Sequence, residues 1–164
     1  MRTSKGAFID SRRTDKRLLG LEKRLSDLFM VDLHDQEPWN VLRYDQGQHY
    51  YAHYDVFLPD FFPKIKEDPG RQRRYTLLLY LSTPEEGGET AFPFESRIRS
   101  EDPGFTETTC AFGIKVRPRK GDVLYFESLY PDLSINSLTM HAGCPPSEGE
   151  KWIATKWISV GNFP

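Results

Sequence analysis

The sequence predicts a mainly β domain, closed as a barrel or folded as a double sheet, behind one N-terminal helix. Three observations predict it. A helical apolar period appears over residues 14–30 and then disappears. About eight short apolar or alternating runs follow, separated by segments rich in Gly, Pro, Asp and Glu. The 164 residues, 38% hydrophobic and 13% aromatic, fit a single domain able to bury a core without staples. Jelly rolls and cupin-like barrels manage sheet edges in this way and hold a ligand in their mouth or interior.

In the helix, Leu18, Leu21, Leu25, Leu28 and Phe29 recur at three- and four-residue steps, with Lys16, Glu22, Lys23 and Asp27 elsewhere. Thr14 or Asp15 is placed to cap its start. The first strand-like run is 39–44, ended by Asp45-Gln46-Gly47. The next is 50–57, stopped by Pro59. Residues 75–81 are nearly unbroken apolar sequence, the pattern of a central strand. A short strand at 90–94 follows the Gly87-Gly88 turn. Runs at 114–117, 123–126, 137–142 and 152–160 complete the set, with connections at 59–72, 95–109, 128–136 and 144–150.

The net charge of −2 gives no case for nucleic acid. Basic clusters at Arg12-Arg13, Lys16-Arg17 and 71–74 read as solvated surface. No run approaches the roughly 18 apolar residues of a membrane span. No signal peptide is visible, and the abrupt start reads as that of a trimmed catalytic domain spanning 1–164. Cys110 and Cys144 read either as two buried thiols or as one disulfide.

His53-Tyr54-Asp55, answered by His141, carries the chemistry. In a strand, residues two apart share a face, so His53 and Asp55 can reach one metal while Tyr54 points away. Two imidazoles and one carboxylate with positions left open are the ligand set of non-haem Fe(II) oxygenases. A lone His-x-Asp is common by chance; His141, on a later apolar run, gives it a third ligand. His34, between acidic residues, reads as surface. His49 lies an even four positions before His53 and stays a competing ligand. Lys151, at the start of the run 152–160, is placed to meet a carboxylate inside a barrel, and needs such a partner if buried.

The stretch Tyr44-Asp-Gln-Gly47-Gln48-His-Tyr50-Tyr-Ala-His53-Tyr-Asp55 resembles the iron-binding motif of prolyl 4-hydroxylases, plant and algal type. So do Arg73-Arg-Tyr-Thr76-Leu-Leu-Leu-Tyr80 with Gly87-Gly88-Glu89-Thr90, then Lys120-Gly121-Asp122. Ser137-Leu-Thr-Met-His141-Ala-Gly143-Cys144-Pro145 and Lys151-Trp152 with Lys156-Trp157 continue the match, which covers nearly the whole chain. The resemblance implies a double-stranded β-helix (jelly-roll) core with flanking helices, an α+β arrangement. It implies an enzyme that hydroxylates peptidyl proline at C4 with Fe(II), 2-oxoglutarate, O2 and ascorbate. By the same resemblance His53, Asp55 and His141 hold iron, and Lys151 pairs with the distal carboxylate of 2-oxoglutarate beside Thr90 and Tyr44. Tyr50, Arg73 and Trp157 line the peptide groove, though Trp157 reads equally as core and Arg73 as solvated. The resemblance also implies a Cys110–Cys144 disulfide, a Pro-rich polypeptide substrate, a monomer without membrane contact, and the lumen of the secretory pathway.

Two positions depart from the family pattern. Ser159 stands where plant-type members usually carry His, and Tyr75 where a small or aliphatic residue is usual. The 59–72 loop falls where members close a lid. Three alternatives stay open: a 2-oxoglutarate oxygenase acting on another side chain or a small molecule, a non-catalytic Pro-rich peptide-binding module, and a cupin-like sugar or metal-storage protein.

Overall fold

The computed structural model describes residues 2–10, 15–57, 71–93 and 110–161. Helix α1 spans Lys16–Phe29. Asp15 caps it, its side chain accepting the Arg17 backbone N–H at 2.7 Å, and Thr14 lies outside the described residues. The helix ends at Met30, whose left-handed backbone (φ 53°) lets the Val31 N–H reach the Ser26 carbonyl.

The strands are β1 (Lys5–Ile9), β2 (Trp39–Tyr44), β3 (Tyr50–His53), β4 (Arg71–Tyr80), β5 (Glu86–Gly87) and β6 (Thr90–Phe92). Then come β7 (Ile114–Val116), β8 (Val123–Glu127), β9 (His141–Gly143), β10 (Pro146–Glu148) and β11 (Lys151–Gly161). Five form one sheet in the order β1-β2-β11-β4-β8, and four form a second, β3-β9-β6-β7. β5 and β10 make a separate ribbon, and the pairings are antiparallel. This is the mainly β, jelly-roll class that the sequence predicts.

Alternation along β11 divides its residues between two environments. Ile153 joins Leu42, Tyr44, Leu78, Tyr80, Phe92 and Phe126 in one buried cluster, which draws on both sheets. Ala154 and Ile158 join Leu25, Trp39 and Leu77 in a second cluster, with Leu21 and Phe29 of α1 packed against it. The apolar stripe of α1 is narrower than predicted, because Leu28 is 70% exposed. Glu22, read above as lying off that stripe, is instead buried. Its carboxylate meets the Lys156 ammonium, which also donates to the Glu37 carbonyl at 2.5 Å and lies over the Trp39 ring. The helix is thus joined to the large sheet by an ion pair as well as by hydrophobic contact.

Beyond shifts of one or two residues at element ends, several segments differ from the sequence reading. The run 50–57 stops being a strand at His53, and Asp55 lies in a bend beyond it. The run 137–142 is a 3-10 turn, Ser137–Thr139, followed by β9. The connection 144–150 contains β10, and the central strand β4 starts at Arg71 and ends before Leu81, which is 40% exposed. β1, short and largely exposed, carries no burial pattern to announce it. Gly87 has φ +76°, and a Cβ there would lie 2.7 Å from the Pro145 carbonyl oxygen, so that tight turn requires glycine.

Candidate metal centre

β3 and β9 bring two imidazoles together. His53 is the register partner of His141, and their ring centroids are 4.4 Å apart. The bend after β3 then turns the Asp55 carboxylate toward both. Its Oδ1 is 3.6 Å from His53 Nε2, and its Oδ2 is 3.7 Å from His141 Nε2. One ligand atom from each residue lies within 4.8 Å of the others. The bend, not the shared face of a strand, makes His53 and Asp55 converge, and Tyr54 lines the same cavity instead of pointing away.

Each imidazole is fixed in a ligand-ready tautomer. His53 Nδ1 donates to the Tyr51 carbonyl at 2.8 Å, and His141 Nδ1 donates to the Thr139 carbonyl at 3.0 Å. A carbonyl only accepts, so Nδ1 carries the proton and the Nε2 lone pair is left for a metal. Burial lowers the His141 pKa to about 4, against the attraction of Asp55, so its ring is neutral at pH 7. Burial pushes the Asp55 carboxyl upward, but the imidazoles of His141 and His53 outweigh it and hold it well below the usual carboxylate range. Thr76 on β4 donates its hydroxyl to Asp55 Oδ2 at 2.8 Å. The donor set is therefore one carboxylate and two imidazole nitrogens, which fits a divalent iron.

The trio lines a cavity of about 230 Å3. Lys151 lies in the same lining and is 1% exposed, deeper than a residue at a barrel mouth. Burial lowers its pKa to about 7, with the Glu89 charge opposing. Its ammonium reaches the Glu89 carbonyl only at 3.4 Å and sits 5.1 Å from the Tyr44 ring centre. Tyr44 is its register partner on β2, and burial pushes that phenol up to about 12. Thr90 on β6 accepts the Tyr80 hydroxyl at 2.9 Å. Gly143 leaves room for Tyr44: a Cβ there would stand 3.1 Å from the phenol oxygen.

The outer part of the lining is aromatic and cationic. Tyr50 stacks on His53 at 3.8 Å, and Arg2 lies over the Tyr50 ring at 5.7 Å. Arg73 is not solvated. It binds Glu37 through Nε at 2.5 Å and Nη2 at 2.6 Å, and lies over the Trp157 and Phe57 rings at 3.8 and 4.5 Å. Arg74 likewise approaches Glu127 at 3.7 Å, so the 71–74 cluster is not simple surface charge. Trp157 is 8% exposed and lines the cavity, and its indole N–H adds to the forces that hold the Asp55 pKa down. Gln72 holds Phe57 in place, accepting its N–H at 2.7 Å and donating to its carbonyl at 2.9 Å.

Other predicted positions lie apart. His49 stacks on Tyr51 and His34 is exposed beside Asp35, and neither joins the trio. Cys110 and Cys144 are bonded to each other, which joins the segment after β9 to the one before β7. Arg12 and Arg13, residues 58–70 and residues 94–109 lie outside the described residues, and with them most of the 59–72 and 95–109 loops. Sequence reasoning missed Thr76, Glu37 and Gln72. Each is an ordinary polar residue in its segment; the register of β4 brings Thr76 and Gln72 to the site, and the segment before β2 brings Glu37.

The sequence profile of the 2OG-Fe(II) oxygenase superfamily matches residues 39–159. The structure superposes on that of a viral collagen prolyl hydroxylase from Paramecium Bursaria Chlorella virus-1, in its 2OG complex, with a TM-score of 0.68. Identity there is 30%, over 97% of this chain and 80% of that one. The chain belongs to the prolyl 4-hydroxylase family of 2OG-Fe(II) oxygenases. It is 41% identical to probable prolyl 4-hydroxylase 3 of Arabidopsis thaliana, over 99% of this chain and 56% of that protein. It is 43% identical to probable prolyl 4-hydroxylase 9 of the same plant, over 96% of this chain and 53% of that one. The chain thus spans about half the length of these curated relatives.

Proposed function

We propose that this chain hydroxylates peptidyl proline at C4, using Fe(II), 2-oxoglutarate and O2. The observation that carries this reading is the shared cavity: the His53, Asp55 and His141 ligand atoms and the buried Lys151 ammonium line one space. A cation this deep with a single long contact to a carbonyl calls for an anion. The distal carboxylate of 2-oxoglutarate answers it.

In this reading His53, Asp55 and His141 hold iron through Nε2, one carboxylate oxygen and Nε2. Lys151 binds the cosubstrate as a point charge, with Thr90 and Tyr44 as neighbouring hydroxyl partners. Thr90 already accepts from Tyr80, so its own proton is available for the carboxylate. When bound, iron with 2-oxoglutarate and O2 supplies the oxidising power that turns a proline C4–H into C4–OH, with succinate and CO2 released. The protein's part is to bind, orient and exclude water. Tyr50, Arg73 and Trp157 form the wall along which the peptide lies, and the Trp157 indole N–H faces the Asp55 carboxylate. Ascorbate belongs to the reading as a reductant that keeps iron divalent. The disulfide supports work in an oxidising lumen such as that of the secretory pathway.

The test is a succinate assay with polyproline and Ser-Pro-rich peptides, with and without Fe(II), plus mass spectrometry of the peptides. Peptide-stimulated succinate release and a gain of one oxygen on proline are expected. Turnover that proline peptides do not stimulate would point instead to another side chain or a small molecule. Tight peptide binding without any 2-oxoglutarate turnover would point to a binding module.

A further inference from the structure

The inner face of the large sheet presents its side chains to the cavity in rows. β2 and β11 supply three of them as register pairs: Lys151 with Tyr44, Ile153 with Leu42, and Thr155 with Asn40. Successive rows lie about 6.5–7 Å apart, two residues along a strand. Next on β11 comes Trp157, whose partner on β4 is Thr76, and both reach toward the Asp55 carboxylate. The first row is thus cationic, the second apolar and the third polar, and the metal ligand Asp55 stands at the fourth.

Asn40 and Thr155 are each 3% exposed. Among the described residues neither side chain makes a hydrogen bond. Neither belongs to the polar groups sealed from all accessible surface, as the Trp39 indole N–H does. Their amide and hydroxyl therefore open into the cavity they line. Polar groups this deep are costly to leave without a partner, so the cavity's occupant has to answer them.

The order of the rows matches a 2-oxo dicarboxylate from end to end. The distal carboxylate falls to Lys151, the two methylenes to Ile153 and Leu42, and the 2-oxo acid end to the polar row beside Asp55. A 2-oxo acid that chelates a metal through its keto oxygen and one C1 oxygen leaves the other C1 oxygen without a partner. Away from water that oxygen needs donors. Other donors of the lining are engaged or distant. Arg73 binds Glu37, Tyr54 donates to the Ser137 carbonyl, and Lys151 and Tyr44 stand two rows away.

We propose that Asn40 and Thr155 bind the C1 carboxylate of 2-oxoglutarate, the amide N–H and the hydroxyl each donating to the oxygen that the metal leaves free. The inference rests on the cosubstrate reading above and assigns residues to the end of the molecule that leaves as CO2.

The experiment is titration calorimetry of 2-oxoglutarate into protein loaded with Zn(II), which occupies the His53, Asp55 and His141 site without turnover. Thr155→Val keeps the side chain's shape and removes the donor, whereas Thr155→Ser keeps the donor and removes a methyl. Thr155→Val should weaken binding about tenfold, the scale of one hydrogen bond to a charged group, and Thr155→Ser should stay within about twofold of wild type. Asn40→Leu should weaken binding by a similar factor of about ten. Zn(II) affinity, read by chelator competition, should be unchanged in all three variants. If Asn40→Leu does not fold, the two Thr155 variants decide alone. Unchanged affinity in Thr155→Val, a loss in Thr155→Ser as large as that in Thr155→Val, or a matching loss of Zn(II) affinity overturns the inference and leaves the cosubstrate reading standing. Failure of the wild-type protein to bind 2-oxoglutarate overturns both.

Discussion

His53 and His141 are register partners across the β3–β9 pair, and each ring is locked by a carbonyl two residues before it. The pairing places both Nε2 atoms on the side toward Asp55, so the proposed ligand set is organised by the fold itself.

His53→Ala and Asp55→Ala should therefore abolish Fe(II)-dependent succinate formation even at saturating iron. Thr76→Val is the finer test. It removes the hydroxyl that fixes Asp55 Oδ2 but leaves the three ligands, so iron affinity should fall about 10- to 100-fold and activity should return as iron is raised. An unchanged iron requirement would sink the role assigned to Thr76.

Lys151 gives a pH signature. Its folded pKa of about 7 lies below the ordinary 10.5, because burial penalises the charge. Between those values the unfolded chain holds a proton that the folded chain lacks, so stability gains from this group as pH rises through that window. Urea midpoints from pH 7.5 to 9.5 should thus climb more in the wild type than in Lys151→Met. Binding a carboxylate recharges the amine, so 2-oxoglutarate affinity should weaken above about pH 7, by up to about tenfold per pH unit. Lys151→Met should raise the 2-oxoglutarate KM and flatten that slope.

The Glu22–Lys156 pair should matter most when halved. Glu22→Leu alone takes the paired carboxylate away from a fully buried ammonium, and is expected to cost about 3–5 kcal/mol. Glu22→Leu with Lys156→Met should recover much of that loss, because no buried charge remains. Denaturant unfolding of the two variants checks the order.

Reduction of Cys110–Cys144 releases a 34-residue separation and should cost about 3–4 kcal/mol in the chain-entropy picture. A second effect should accompany it. The Cys144 N–H and the Lys151 ammonium share the Glu89 carbonyl, at 2.9 and 3.4 Å, so loosening Cys144 should also weaken 2-oxoglutarate binding. Thermal melts and cosubstrate titrations with and without reductant separate the two. Equal thiol counts with and without reductant in denaturant would remove the premise.

Much of the site was legible as residue types. His53, Asp55, His141 and Lys151 are chemically conspicuous, and hydrophobic alternation announced most of the strands that frame them. The helix period announced α1 but misjudged Glu22 and Leu28, because periodicity cannot know that Lys156 waits beneath the helix to neutralise a carboxylate. The 137–142 run has strand-like composition, yet Ser137–Thr139 forms a 3-10 turn whose Thr139 carbonyl orients His141.

By itself the sequence determined the chemistry on offer: two imidazoles, a carboxylate and a lysine in a β-rich chain, within a pattern shared by one family. Tertiary structure alone decided their geometry. The bend at Asp55, the β3–β9 register and the cross-sheet reach of Thr76 join residues 21 to 88 positions apart in the chain, and no local propensity encodes such distances. It also decided charge state, since the neutrality of His141 and the lowered pKa of Lys151 follow from burial, which exists only once the sheets close over them.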